Sequence, residues 1–350
     1  MTGTGATGTG AGTTGAGTTG AGTTGTGTGT GTAERTVDVL VVGAGPAGLA
    51  AAARLAARGA GTVEVLEREP ERDLAGVRRR ADAAVRAGAV LRTGATATGW
   101  SGPLTLDTTS PSGRERVTAR AVVLATGARE RPRAARLVPG TRPAGVLTGG
   151  QVRRAVDRGQ PVGTRAVVVG AEPDALRAVR TLSGAGVRVV AVVSREPWRR
   201  PGAVTGRLPV LRGTEIAEIL GRGRLSGVRV RHRDGRGTTL ACDTLVLTGD
   251  WVPEHELARS GGVALAGGTR GPAVDGASRT TVPGVFAVGG LVHPGGPAGG
   301  AAAEGRAVAG PVLAFLSGAE PWPGAVVPVE GGAPLRGWRR VAGRWRCPWW

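Results

Sequence analysis

The densest chemical signal in the chain is Gly43-Ala44-Gly45-Pro46-Ala47-Gly48. Glycines at this spacing let a strand turn sharply into a helix, let a diphosphate approach the backbone, and let the helix pack closely on the strand. The helix N-terminus that follows offers unpaired N–H groups and partial positive charge to the phosphates. The surroundings agree: the apolar run Val37–Val42 precedes the motif and an Ala-rich stretch to about Arg58 follows it. Glu67 ends the next apolar run, where a carboxylate accepts hydrogen bonds from ribose hydroxyls. Together these features favour dinucleotide binding over a Gly-rich turn in an unrelated α/β domain.

The elements that must position these residues are legible as apolar runs. Thr62–Leu66 predicts a second buried strand, Leu74–Ala87 a helix and Ala89–Leu91 a short strand. Short runs at Ala95–Trp100, Leu104–Asp107 and Arg116–Ala119 predict a β-meander, and Ala121–Ala125 a further buried strand. A βαβ rhythm restarts at Arg165, with strand Ala166–Val169, helix Pro173–Ala185 and strand Val187–Val193. Strand pairings near Val228–His232 and Thr238–Cys242 lead into Thr244–Leu247; later come strand Val285–Val288 and one small-residue helix, Gly299–Leu316. The fold class expected is α/β, with two Rossmann-like units.

Composition narrows the function classes. The chain has 350 residues, 40% hydrophobic, room for about two domains. Its formal net charge is +19, yet every basic residue is Arg, and Lys, Asn and Tyr are absent, a bias that tracks GC-rich codons. The arginines are scattered and aromatics are 3% of the chain, so the stacking platforms of a nucleic-acid binder are missing and no specific nucleic-acid partner is expected. Cys242 and Cys347 form no CxxC, which excludes a disulfide framework and points to a reducing cytoplasm. No apolar run approaches bilayer length, so no membrane partner is expected. Residues 1–35 are a Gly/Thr/Ala-rich tail predicted to be disordered, and residues 318–350 a Trp/Pro-rich tail whose default role is to cap the core.

The order of further motifs carries a resemblance. Val122-Val123-Leu124-Ala125-Thr126-Gly127 resembles the "ATG" strand of the FAD/NAD(P)-binding pyridine nucleotide-disulfide oxidoreductases, and Thr281–Gly289 their late flavin-contacting strand. Thr248-Gly249-Asp250 resembles the second crossing between their domains. The stretch from Pro139 to Val152, with Thr148-Gly149-Gly150-Gln151, is similar to the subgroup with hydrogen cyanide synthase and opine-oxidase-like subunits. The resemblance implies a discontinuous FAD-binding domain, residues 36–136 and 242–317, with an NAD(P)-binding-like domain inserted at 137–241. It implies FAD as cofactor, with NAD(P)H as a candidate second one. By position, Gly43, Gly45, Pro46, Ala47 and Gly48 would hold the diphosphate, Glu67 the adenosine ribose and Ala97 the adenine through its backbone. Thr126 and Gly127 would lie beside the cofactor, and Gly289 at the ribityl–phosphate region. The activity implied is hydride transfer between NAD(P)H or a small organic donor and flavin. The rival expectation is a catalytically impaired nucleotide-binding or interaction subunit of a larger oxidoreductase complex.

That rival rests on departures from the family pattern. In the second nucleotide motif, Gly170-Ala171-Glu172-Pro173-Asp174-Ala175, Glu172 replaces the glycine that admits the pyrophosphate and sets a carboxylate against phosphate. Gly290 stands where the family has an Asp on the ribityl chain, and only Gly76 remains of the glycine pair that covers the flavin ring. No catalytic residue is identified. His293, just after the late flavin strand, is a weak candidate, with a satisfied loop histidine the stronger reading. His232, His255 and His293 lack metal-ligand spacing, so no metal is expected. Cys242 reads as a small core residue, and Arg195, Arg199 and Arg200 equally as a nucleotide-phosphate site or a solvated charge run.

Overall fold

The computed structural model describes residues 32–70, 77–195 and 208–323, with two short strands at 339–341 and 344–346. Gly76, Arg199, Arg200, Cys347 and most of both predicted tails lie outside the described residues. The first strand, β1 (Ala33–Val42), begins inside the stretch assigned to the N-terminal tail. After it come α1 (Pro46–Ala57), β2 (Val63–Glu67), α2 (Arg78–Arg86) and β3 (Val90–Thr93). The meander is β4 (Thr96–Gly102), β5 (Thr105–Ser110) and β6 (Gly113–Leu124).

The meander strand and the following buried strand, expected to be separate, are one. No Gly or Pro interrupts Val117–Leu124, so β6 runs on, antiparallel to β5 in its first part and parallel to β1 along its length. Val39–Val42 face Ala121–Leu124 in register, and these positions are fully or nearly fully buried.

Two short elements leave the first half, β7 (Ala128–Glu130) and α3 (Arg133–Arg136). The second half contains β8 (Val146–Thr148), α4 (Gly149–Asp157), β9 (Arg165–Val169), α5 (Pro173–Gly184), β10 (Arg188–Ser194) and β11 (Val210–Arg212). An antiparallel trio follows, β12 (Thr214–Arg222), β13 (Arg224–His232) and β14 (Gly237–Ala241), and then β15 (Thr244–Leu247). The five-stranded parallel sheet has order β11-β10-β9-β15-β8. β15 therefore belongs to the second sheet, pairing β9 and β8, although it lies past residue 242, where the first half was expected to resume. The chain returns through β16 (Trp251–Pro253), which pairs antiparallel with β7, so the two crossings between halves are zipped to each other.

After α6 (Glu256–Ser260), β17 (Val285–Ala287) docks parallel on the far side of β6 and completes a seven-stranded sheet. The single helix expected from Gly299 to Leu316 is two, α7 (Ala298–Ala307) and α8 (Ala309–Leu316). Pro311 explains the break: it has no N–H to return to Ala307. Part of the predicted C-terminal cap is visible. Trp322 packs edge-on against Phe286 of β17 and Phe315 of α8, ring centroids 5.2 and 5.3 Å away.

Candidate functional site

Three parallel strands of the first sheet end at one edge, and each is followed within three residues by a glycine. Gly43 donates to Leu66 O (2.8 Å), Ala125 donates to Val42 O (2.8 Å) and Val288 donates to Leu124 O (3.0 Å). This register brings Gly43–Gly48, Thr126–Gly127 and Gly289–Gly290 to a common crevice outside the carboxyl ends of the strands, where ligands of open α/β sheets bind. Gly43 has φ +107, and a Cβ there would overlap the Ala125 carbonyl. A Cβ on Gly48 would overlap the Gly43 carbonyl, so this glycine sets how closely α1 approaches the turn. Gly45 differs: its Cβ position meets nothing within 4 Å. The backbone is therefore packed behind the turn and open in front of it. α1 begins with Pro46 at its first position and has no side-chain cap, leaving first-turn N–H groups facing that opening.

Glu67 lies at the mouth of the turn. One carboxylate oxygen accepts from Ala44 N (2.7 Å) and the other from Glu69 N (2.9 Å). Each oxygen keeps acceptor capacity for a ligand hydroxyl. The turn into β4 is fixed to the same place, Ala95 N donating to Glu67 O (2.9 Å), which sets Ala97 two residues from the Glu67 backbone. Thr126 donates its hydroxyl to Glu254 O (2.7 Å), and Gly127 O accepts from Glu254 N (2.9 Å), so the second crossing clamps this turn.

The floor beside Gly289 depends on a side chain that the sequence analysis passed over. Glu304 of α7 accepts from Gly289 N (2.9 Å), and its other oxygen is 3.7 Å from His293 Nε2. His293 is 10% exposed, with its backbone N–H on Gly289 O. The Glu304 signal was a lone acid in a small-residue helix. The Cβ position of Gly290 has only ordinary contacts, 3.6 Å from Gly127 and from Ala128 N. Gly290→Asp is therefore expected to fold normally and to tighten FAD several-fold by supplying a hydrogen bond to the ribityl chain, measured by fluorescence titration of apoprotein.

In the second half, Gly170 ends β9 with φ +147, backed by the Thr248 hydroxyl. Glu172, the N-cap of α5, folds its side chain back into this turn. One oxygen accepts from Ala171 N (2.9 Å) and the other is hydrogen-bonded to the Thr248 hydroxyl. A Cβ on Gly249 would come within 2.8 Å of the same carboxylate. The space between the two glycine turns, where a diphosphate would meet the backbone, is thus occupied by an internal carboxylate. Asp174 stands just behind it with its pKa raised, by burial first and by repulsion from Glu172 among the rest. A diphosphate of NAD(P)H entering this turn would meet the Glu172 carboxylate.

Glu130 is a further residue that the sequence did not single out, because it sits in the charged run Arg129–Arg133. It is 6% exposed and accepts from Gly150 N (2.7 Å), tying β7 to the start of α4. Burial pushes its pKa up. A carboxyl with a raised folded-state pKa binds more protons folded than unfolded, so stability falls as pH rises through the window between the two values. Glu130→Gln, which still accepts from Gly150, is expected to raise Tm at pH 7.5 by a few degrees and to change it little at pH 4. Parallel melts at the two pH values check this.

Two glycine-turn crevices, one per large sheet and joined by paired crossings, define the two-dinucleotide-domain class of flavoprotein. Residues 37–307 match the Pyridine nucleotide-disulphide oxidoreductase family. The chain belongs to that family. A 135-residue stretch is 33% identical to the ferredoxin–NADP reductase of Ignicoccus hospitalis, covering 36% of this chain and 43% of that protein. The match thus spans less than half of that curated relative. Among solved structures, T. acidophilum thioredoxin reductase is similar with TM-score 0.65 at 22% identity, covering 81% of this chain and 99% of the other. L-proline dehydrogenase from P. horikoshii is similar with TM-score 0.60 at 18% identity, covering 82% and 57%. These likenesses are in fold. No helix among the described residues is long and apolar enough to cross a membrane.

Proposed function

We propose that this flavoprotein oxidises a small organic donor directly and does not draw on NAD(P)H. The observation that carries the proposal is the Glu172 carboxylate on Ala171 N and Thr248, in the space a second diphosphate would need. The first crevice has the opposite character: an uncapped α1 and open space before Gly45 suit FAD. There Gly43, Gly45, Pro46, Ala47 and Gly48 would receive the diphosphate, Glu67 the adenosine ribose and Ala97 the adenine. Thr126 and Gly127 would flank the ring system and Gly289 would meet the ribityl–phosphate region. Bound FAD supplies the hydride acceptor, and the protein supplies position and electrostatics. We assign His293 to holding Glu304, and Glu304 to fixing the Gly289 amide, with neither moving a proton.

A second reading is a catalytically impaired subunit that works beside an oxidoreductase partner, and Gly290, which offers the ribityl chain no side chain, favours it. One preparation separates the readings. The protein is expected to purify yellow and to keep its flavin absorbance when mixed anaerobically with NADH or NADPH. Rapid bleaching by either would overturn the first reading. Colourless protein that refuses added FAD would select the second.

A further inference from the structure

A cleft of about 570 Å³ opens between α3, the segment leading to β8, and the start of α4. It shares no residue with either glycine turn and lies at the carboxyl ends of β8 and β15. Its size falls in the range that small ligands fill. The walls are apolar, formed by Val138, Pro139, Pro143, Val146, Leu147 and Leu247. Arg133 donates to Val138 O (3.1 Å) and Gly140 O (2.9 Å), bracing the wall segment.

The polar groups have one sign. No acidic side chain lines the cleft, while Arg133 and Arg142 both do. Arg133 is engaged by the carbonyls, whereas Arg142 is exposed and makes no hydrogen bond or ion pair among the described residues. Gln151 adds an amide: its oxygen accepts from Thr148 N (2.8 Å), leaving the NH₂ to donate. At the lip stands Leu137, 84% exposed and with φ +54. A leucine held in the left-handed region with its side chain in water is strained and costs burial, a combination expected where a ligand covers it.

We propose that this cleft is a binding site for a small amphipathic carboxylate, the acid on Arg142 and Gln151 and the aliphatic body against the Val146–Leu147 wall. A planar carboxylate matches one guanidinium and one amide, whereas the double charge of a phosphate calls for more than one free cation. The site is independent of the donor oxidised at the flavin.

The test uses calorimetric titration of the flavin-loaded protein with hexanoate, octanoate and octanol. Octanoate is expected to bind roughly ten-fold tighter than hexanoate, from two further buried CH₂ groups, and at least ten-fold tighter than octanol. Arg142→Glu should weaken octanoate at least ten-fold with flavin content unchanged. Arg79→Glu, an exposed site on α2 with the same change in charge, should alter it less than two-fold. Failure of octanoate to bind, equal affinity for octanol, or equal losses in both variants would overturn the proposal.

Discussion

Gly45→Glu is expected to give folded, colourless protein. Gly45 has ordinary extended geometry, φ −71 and ψ 179, and its Cβ position meets no atom within 4 Å. The fold itself therefore admits a side chain here. What it does not admit is a diphosphate beside that side chain, because the open space is the approach to the α1 N-terminus. A glutamate adds bulk and a negative charge in the same place. FAD affinity should fall at least a hundred-fold, read as loss of visible absorbance and in titration of apoprotein. The melting temperatures must be compared between apoproteins, since bound FAD stabilises the wild type by mass action. On that basis the variant should melt within about two degrees of the wild type, a shift typical of surface substitutions. Stoichiometric flavin in Gly45→Glu would remove the first crevice as the cofactor site.

The converse change is expected at Glu172. Glu172→Gly deletes the carboxylate that now accepts from Ala171 N and bonds Thr248, and it leaves β9 and α5 in place. Both the freed amide and the α5 N-terminus then face a vacant turn with no opposing charge. NADH or NADPH should bind at least ten-fold more tightly than to wild type, and flavin reduction by nicotinamide under anaerobic conditions should become measurable. Pro173 and Asp174 remain, which limits the gain. Glu172→Gln separates charge from bulk: it should recover only part of the effect. If neither variant gains affinity, the second half acts as scaffold for reasons other than this carboxylate.

Much of the architecture was legible because buried parallel strands read as unbroken Val/Leu/Ala runs and because their turns need glycine. That is why β1, β9, β10, β15 and β17 could be placed, and with them the gathering of Gly43, Thr126 and Gly289. The short strands β7 and β16, with a charged pair in one and a proline in the other, carry no such pattern. β7 and β16 were invisible for that reason, and with them the clamp from Glu254 onto Thr126 and Gly127. Glu130 was hidden for a related reason, since a buried acid inside an Arg-rich run looks like any solvated charge until its burial is known. Glu172 was legible as a departure from the motif. That its side chain turns back into the nucleotide space is a matter of rotamer, decided by Thr248, which comes from a strand far along the chain.

The way β17 completes the first sheet has a consequence for how the molecule is made. β17 is the outer neighbour of β6, yet it is synthesised after every strand of the second half. The second sheet draws all its strands from between Val146 and Leu247, so it can close while the first still lacks an edge. Strand pairings between distant segments form slowly, because chain closure precedes the reward of contact. Emerging from the ribosome, the inserted half should thus finish first, and the flavin crevice should assemble last, when Gly289 arrives. Chains halted before β17 would hold β6 with an open parallel edge, which is the species most exposed to aggregation and the one whose rescue by FAD would come too late.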